Sequence, residues 1–370
     1  MKRKLLLIIL LIILTLSASG CWDIRDVNNR AFVAAIGLDV PEDPAQKYKV
    51  IFQFWDPIKI RHQGDSIALT ENVEAESIYQ AVELMQARIA KSITFTHLQV
   101  LFVGDELARS ENFLDLANFF LKNPEVALRI RLVFIQDKTA LEVLESKPKI
   151  VNNVTDKVVQ MSQLEREFSL PRTNTFYYFL TDLKKTGGTA FGSRVILPAG
   201  FVVRHGGAVF GDYKLQGFLN AEETQAANWI TGRSQGLVLG NTKDGTFTYL
   251  AKSKQLKINA IEVGKGTLKF TVNLKTEGNI VEENGYPMDL SKPENIRKME
   301  KLFSHVIAEQ IKSAIKKSQK EFGVDYLGFG QILRQTKPKV YAKINWRETF
   351  PNIPIDVSVN ATVKQFGMTK

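Results

Sequence analysis

The sequence predicts a multidomain α+β protein that combines a mixed α/β N-terminal half with a C-terminal domain of antiparallel strands packed against a long helix. Strand and helix patterns alternate in the first half, which is typical of α/β or α+β architecture. The second half contains strand patterns separated by Gly-bearing turns, and a long amphipathic helix pattern follows them. The 370 residues are 44% hydrophobic, which is enough for two or three domains.

The elements of the first half are predicted from runs of β-branched and aromatic residues and from helical periods. The runs YKVIFQFW, LQVLFVG and RIRLVFIQ predict strands, and apolar residues recur with helical spacing between them. Asn123-Pro124 closes one of the helices. The predicted strands are Tyr48 to Trp55, Leu98 to Gly104 and Arg129 to Gln136, and the predicted helices are Ala75 to Lys91, Asn112 to Leu121 and Thr139 to Leu144.

The pattern loosens between Ser146 and Gly207. Two helices are predicted there, at Val154 to Phe168 and at Thr175 to Leu183. The stretch from Gly187 to Gly207 contains Gly and Pro and is predicted to be a connector into the next domain. The predicted parts are a signal peptide at residues 1–20, an N-terminal α/β domain at 21–145, a helical connector or small middle domain at 146–206, and a C-terminal α+β domain at 207–370.

The second half begins with a predicted hairpin around Gly211-Asp212. Asn220 to Glu223 form a capping box for a helix that ends near Gly232. The strand pattern FTYLAK follows Asp244-Gly245, and the turn Gly264-Lys265-Gly266 separates LKINAIEV from LKFTVNLK, as in a hairpin. Two more strands are predicted near the end of the chain, at Val340 to Ile344 and Ile355 to Val363.

A second capping box, Ser291 to Glu294, predicts the start of a long helix that ends at Gly323. Its apolar stripe favours packing across a sheet, while a coiled coil or a helix on a membrane surface stay alternatives. Lysines decorate the remaining faces. The stripe comprises Ile296, Met299, Phe303, Val306, Ile307, Ile311, Ala314 and Ile315, and the lysines are Lys298, Lys301, Lys312, Lys316 and Lys320.

The N-terminal segment has the three parts of a secretory signal. Lys2, Arg3 and Lys4 precede an apolar run of Leu and Ile, and small residues follow that run. The run is shorter than the roughly 20 residues that a membrane-spanning helix needs. Ala18-Ser19-Gly20-Cys21 resembles a bacterial lipobox, although Ala18 stands where Leu is usual. Cys21, the single cysteine of the chain, is therefore the predicted lipidation site rather than a disulfide partner, metal ligand or nucleophile.

No residue pattern supports catalysis or a resident metal. Gly232 to Gly236 matches the G-x-S-x-G motif, but a nucleophile elbow needs a strand before the serine and a helix after it, and here the order is reversed. Phosphate-binding loops are absent from the sequence. We expect no enzyme activity, no cofactor and no metal. The histidines lack metal-site spacing and lie at His62, His97, His205 and His305.

The net charge of +10 suits an anionic lipid surface or an acidic partner. An exported chain of this kind is not expected to bind nucleic acid.

Four stretches carry a family resemblance in their order and spacing. They are CWDIRDVNNRAFVAAIGLD (Cys21 to Asp39), THLQVLFVGDELA (Thr96 to Ala108), GGAVFGDYKLQGFLNAEET (Gly206 to Thr224) and DYLGFGQILRQTKPKVYAKINWRETFPNIPIDVSVNATVKQFG (Asp325 to Gly367). Together they resemble the Ger(x)C family of spore germination lipoproteins, the C subunits of nutrient germinant receptors.

The resemblance implies a non-enzymatic subunit with three domains of mixed α and β structure. Such a subunit is anchored through Cys21 on the outer face of the inner spore membrane. It works beside two integral membrane subunits, a polytopic A subunit and a transporter-like B subunit. The complex responds to small nutrients, and whether this chain binds a nutrient directly stays open.

The matched stretches contain a set of signature residues. Trp22 and Asp23 lie beside the anchor, where an indole suits the lipid interface. An equal alternative is that these two residues only lead the chain into its first domain. The later glycines and aromatics are interpreted as turns and core residues, with an interaction role as the alternative. His97 is interpreted as a structural hydrogen-bonding residue. The signature set is Trp22, Asp23, His97, Gly328, Phe329, Gly330, Trp346 and Phe350.

A solute-binding lipoprotein of an importer is the second hypothesis. Such a protein needs two similar α/β lobes that close on a cleft, whereas the two halves of this sequence differ in pattern. A surface hydrolase is a third hypothesis, and it depends on Ser234 alone.

Overall fold

The computed structural model of the chain describes Arg3 and residues 29–55, 68–148, 151, 153–168, 175–231, 235–243, 245–263, 267–285 and 288–366. The strands are β1 (Arg30–Asp39), β2 (Tyr48–Trp55), β3 (Ala68–Ala75), β4 (Ser92–Thr94), β5 (Val100–Gly104), β6 (Arg131–Ile135), β7 (Ala190–Ile196), β8 (Val203–Gly211), β9 (Lys214–Leu219), β10 (Gln235–Asn241), β11 (Gly245–Val263), β12 (Thr267–Gly285) and β13 (Ile355–Phe366). The helices are α1 (Ile78–Ile89), α2 (Asp105–Ser110), α3 (Phe113–Lys122), α4 (Ala140–Glu145), α5 (Val154–Phe168), α6 (Phe176–Thr186), α7 (Ala221–Ile230), α8 (Pro293–Lys316), α9 (Phe329–Thr336), α10 (Pro338–Tyr341) and α11 (Trp346–Thr349).

The first nine strands form one sheet in the described part of the chain. Its order is β3-β2-β1-β5-β6-β7-β8-β9, and β4 pairs with the start of β1. The four central strands β1, β5, β6 and β7 run parallel, and antiparallel strands extend the sheet at both edges. The N-terminal half is therefore a mixed sheet with a parallel centre.

Helices cover both faces of this sheet. Along β5, Leu101 and Val103 contribute to one hydrophobic core, while Val100 and Phe102 contribute to another. Helices α1, α3 and α6 supply the first core, and α4 and α5 supply the second. All five residues of β5 are buried, as expected for a parallel strand with both faces covered.

A cluster of phenylalanines forms the centre of the first core. Phe113 of α3 meets Phe179 of α6 edge to face, with 4.9 Å between ring centroids. Phe210 of β8 lies 4.7 Å from Phe134 of β6 and 5.0 Å from Phe179. These rings join two helices to two strands that are far apart in the sequence.

Asp39 fastens the short helix α4 to the end of β1. Its carboxylate accepts hydrogen bonds from the backbone N–H groups of Ala140 and Leu141, at 2.8 to 3.2 Å. Burial raises the pKa of Asp39 to about 6, while these two amides and Lys49 favour the ionised form. The contact ties residues about a hundred positions apart.

A second sheet, of four strands among the described residues, forms the core of the C-terminal half. Its order is β10-β11-β12-β13, and β11 and β12 form a long hairpin. The last strand, β13, runs parallel to β12, which departs from the all-antiparallel expectation. Helix α8 lies across one face, where Phe303, Ile307 and Ile311 are fully buried.

Strand β8 belongs to both cores. Ala208 and Phe210 pack in the phenylalanine-rich core of the first sheet. Val209, which points to the opposite face, packs with the C-terminal core, as does Leu219 at the end of β9. The alternation of a single strand thus connects the two halves of the chain.

Most of the predicted elements are confirmed. The strand Tyr48–Trp55 and the helix Val154–Phe168 have the predicted bounds, and the Asn220 capping box is formed. The long helix is followed by a π-helical turn, Lys317–Phe322, and ends at Gly323 in the left-handed conformation. The predicted fold class, mixed helices and strands in a multidomain chain, is confirmed as well.

The predicted connector from Gly187 to Gly207 is wrong, because this stretch contains β7 and β8. Two of its glycines, Gly192 and Gly207, are packing positions inside the sheet. A Cβ atom at Gly192 would lie 2.6 Å from the ring of Phe134, and one at Gly207 would lie 2.2 Å from the ring of Phe191. The first sheet therefore continues to Leu219, past the predicted domain boundary at residue 206.

Two smaller predictions are also wrong. The residues around Val340 form the short helix α10 rather than a strand, because Pro338 occupies the first turn of a helix. Lys292, not Ser291, is the N-cap residue of α8, and the Ser291 hydroxyl donates to Asp289 instead.

We expect Phe113→Ala to destabilise the chain by about 3–5 kcal/mol, because it leaves a cavity among aromatic rings. The measurement is the free energy of unfolding in urea. Tyr177→Ala is the matched control, since the Tyr177 side chain on α6 is 52% exposed. Its effect should stay within about 0.5 kcal/mol. Equal losses in the two variants would show that the phenylalanine cluster does not form the core.

Candidate functional site

The C-terminal signature residues meet around the carboxylate of Asp325. Its Oδ1 accepts hydrogen bonds from the backbone N–H groups of Gly328 at 2.9 Å and Phe329 at 3.0 Å. Its Oδ2 accepts from the N–H of Gly330 at 2.6 Å and from the indole Nε1–H of Trp346 at 3.1 Å. One carboxylate therefore satisfies the free amides at the start of α9 and fixes an aromatic residue from α11.

Gly330 is required by this arrangement. A Cβ atom at this position would lie 2.5 Å from the Nε1 atom of Trp346. Any side chain there would displace the indole and break its hydrogen bond with Asp325. Gly328 has a different role, because its φ of +87° places it in the left-handed region that glycine adopts without strain.

The aromatic signature residues form a layer beneath the carboxylate. Phe329 and Phe350 are buried, and the ring of Phe329 lies 5.2 Å from that of Phe270 on β12. Trp346 is partly exposed and lies 5.5 Å from Phe350. The layer connects the loop after α8 to the second sheet.

Desolvation dominates the electrostatics of Asp325. It raises the pKa of the carboxyl to about 7, against the backbone amides and the indole, which favour the charged form. The residue keeps some accessible surface, but the carboxylate lies among protein groups. Its charge therefore changes near neutral pH.

A cleft of about 990 Å³ opens beside this loop, between the two halves of the chain. The first half contributes the end of α6 and the tip of the β8–β9 hairpin, and the second half contributes Asp325, α9 and α11. Arg347 closes one side through its ion pair with Asp212, in which Nη1 donates to Oδ1 at 2.8 Å. The cleft is lined by polar groups and by both positively and negatively charged side chains.

The other predicted site residues lie elsewhere. Cys21, Trp22 and Asp23 fall outside the described residues. His97 is exposed and packs its ring 5.2 Å from that of Phe32 on β1. The structure thus brings together Gly328, Phe329, Gly330, Trp346 and Phe350, and leaves His97 apart.

Sequence reasoning missed Asp325, the residue that organises this site. It is the first residue of the matched stretch DYLGFG, and it precedes a Gly-rich turn and a helix, which is a position typical of a capping carboxylate. The sequence does not reveal that Trp346, on a separate helix, donates a hydrogen bond to Oδ2 of Asp325. This oxygen also accepts from the N–H of Gly330.

No group of three His, Cys, Asp or Glu side chains in the part of the chain that the structure describes is placed to hold a metal ion. Ser234 lies outside the described residues, while the flanking helix α7 precedes and the strand β10 follows it. No helix within the described ranges is both long and apolar enough to cross a membrane.

We expect Gly330→Ala to cost roughly 2–4 kcal/mol of unfolding free energy, because it combines overpacking with the loss of a charged hydrogen bond. Urea unfolding measures this effect. The cost should shrink when Trp346 is replaced by Leu, which removes the clashing indole. Gln331→Ala, at the exposed next position, should change stability by less than about 0.5 kcal/mol. A cost independent of residue 346 would contradict the proposed clash.

Asp325 should make stability depend on pH in a defined direction. Because its folded-state pKa of about 7 lies above the ordinary 3.8, the folded chain holds this proton more tightly. Its contribution to stability is greatest below about pH 4 and is lost as pH rises towards 7. Between pH 5 and 7 the stability advantage of the parent over Asp325→Asn should fall by roughly 2 kcal/mol.

The measurement is the unfolding free energy of both proteins at several pH values. Using their difference removes the contribution of Asp39, whose pKa is raised in the same direction and which both proteins contain. A difference that stays constant from pH 5 to 8 would show that Asp325 does not titrate in this range.

Comparison with known proteins identifies the family. The family model for the spore germination protein N-terminal domain matches residues 23–196, and the model for the spore germination B3/GerAC-like C-terminal region matches residues 205–367. The chain is 24% identical to spore germination protein B3 of Bacillus subtilis, over 95% of each chain. It is 23% identical to spore germination protein KC and 25% identical to spore germination protein A3 of the same organism, and each alignment covers at least 97% of both chains.

A solved structure shows the same fold. The crystal structure of the GerBC protein matches with a TM-score of 0.57 and 21% identity, over 90% of this chain and 98% of that one. Because the match covers most of both chains, the overall architecture is shared. The chain therefore belongs to the Ger(x)C family of spore germination proteins, as the four sequence stretches predict.

Proposed function

We propose that this protein is the lipid-anchored, non-enzymatic C subunit of a nutrient germinant receptor. In this role it is held through Cys21 on the outer face of the inner spore membrane and works with integral membrane A and B subunits. The observation that carries the proposal is the match of both family models, which together span most of the chain from residue 23 to residue 367. The full-length alignments with germination proteins B3, KC and A3 support it.

The anchor is the part of the proposal that depends on sequence alone. Ala18 to Cys21 provide the lipobox, and the thiol has no competing cysteine in the chain. Two acyl chains hold a folded domain on a bilayer for long times, at about 0.8 kcal/mol per buried CH₂. The signal peptide at residues 1–20 belongs to the same proposal, whereas the first sheet crosses the predicted domain limits at 145 and 206.

The importer hypothesis finds less support. A binding protein for an importer closes two similar lobes on its solute, whereas the sheets of this chain differ in strand number and topology. The cleft beside Asp325 lies between two halves that differ in structure, unlike the cleft of such a binding protein. The cleft therefore does not by itself indicate direct nutrient binding.

We expect Cys21→Ala to abolish incorporation of labelled palmitate, to release the protein from the membrane fraction and to slow nutrient-triggered germination. Fractionation of spores and the loss of optical density after nutrient addition measure these effects. Ser17→Ala, which leaves Ala18 to Cys21 intact, is the control and should behave like the parent. Release from the membrane with unaffected germination would count against the receptor role, while retention without the lipid would mean that partner contacts hold the chain.

A further inference from the structure

Helix α8 carries a row of cations on its exposed face, most of which have no partner among the described residues. Arg297, Lys298, Lys301 and Lys316 are exposed, and their side chains make no ion pair or hydrogen bond with any residue in the described ranges. Lys312 lies in the same row and pairs with Glu309 at 2.8 Å. Because these four cations have no partner among the described residues, they can attract negatively charged groups of another molecule.

The geometry of the helix makes this row straight and one-sided. At 3.6 residues per turn the five cations fall within an arc of about 100°, opposite the side that buries Phe303 and Ile307. From Arg297 to Lys316 the row is about 28 Å long at 1.5 Å per residue. We call the five residues Arg297, Lys298, Lys301, Lys312 and Lys316 the basic row.

The basic row lacks the apolar anchors of a protein interface. None of the large hydrophobic side chains that are exposed among the described residues lies on α8. Protein partners generally bury aromatic or aliphatic anchors at the centre of an interface. Lysines on flexible stems along a straight row fit a planar layer of diffuse negative charge instead.

We propose that the basic row binds the surface of an anionic lipid bilayer and so orients the folded part of the protein on the membrane. The proposal rests on the proposed membrane attachment through Cys21, because a chain already held at a bilayer needs only a weak further attraction. Each lysine near an anionic surface contributes a factor of about five in affinity. The basic row therefore fixes which side of the C-terminal sheet faces the lipid.

The test compares the partition of the purified full chain between vesicles of pure phosphatidylcholine and vesicles that contain 30 mol% phosphatidylglycerol. The ratio of the two partition coefficients cancels the contribution of the apolar N-terminal run, and the comparison with the variants below removes the contribution of Lys2, Arg3 and Lys4, which all of these proteins share. We expect the parent to prefer the anionic vesicles at least tenfold at low salt, and to lose this preference as NaCl screens the charges.

The variant Lys298→Glu/Lys301→Glu/Lys316→Glu should remove most of this preference. Glu and Lys have similar helix propensities, so α8 should keep its helix, and far-ultraviolet circular dichroism checks this point. The matched control, Lys91→Glu/Lys184→Glu/Lys257→Glu, makes the same change in net charge at exposed lysines outside α8 and should keep the preference.

Three results would overturn the proposal. The parent could bind both kinds of vesicle equally, or the two triple variants could lose the preference equally, which would reduce the effect to net charge. Salt-sensitive retention on immobilised polyglutamate without any preference among vesicles would assign the basic row to an acidic protein partner. We expect Cys21→Ala to lower binding to both vesicle types and to leave the ratio of the two partition coefficients unchanged. A failure of the proposed anchor can therefore be distinguished from a failure of the basic row.

Discussion

Burial of both faces of the long sheet is the constraint on which the rest of the structure depends. The parallel strands at its centre have no polar face, so helices must return across each side in turn. The chain meets this demand with α1, α3 and α6 on one face and with α4 and α5 on the other. Holding α4 in place is unfavourable in one respect, because it buries the carboxylate of Asp39 where water is largely excluded.

Elements with strong local signals could be predicted from the sequence. The runs of aromatic and β-branched residues at Tyr48–Trp55 and the apolar period at Val154–Phe168 give bounds that agree with the structure. Strands β7 and β8 could not be predicted, because their Gly residues look like a linker when read locally. Gly192 and Gly207 are in fact small because rings from Phe134 and Phe191 occupy the adjacent space, and such contacts are not visible in a local window.

The candidate site shows the same division between local and distant information. The turn at Gly328 and the burial of Phe329 agree with the interpretation of these residues as a turn and a core aromatic. The central role of Asp325 depends on Trp346, which approaches from a helix whose position only the tertiary fold determines. The basic row has the opposite character, because the helical period places its side chains on one face without any tertiary information.

The shared strand β8 has a consequence for how this family can recombine. The gap between the two family models, residues 197–204, covers the loop that separates β7 from β8 and the first two residues of β8. An exchange of C-terminal halves between two relatives at this loop would bring a foreign hairpin, β8 and β9, onto one edge of the first sheet. The incoming β8 must place residues equivalent to Ala208 and Phe210 in one core and a residue equivalent to Val209 in the other. The two halves are therefore modular in sequence but interlocked in structure, and they must change together as relatives diverge.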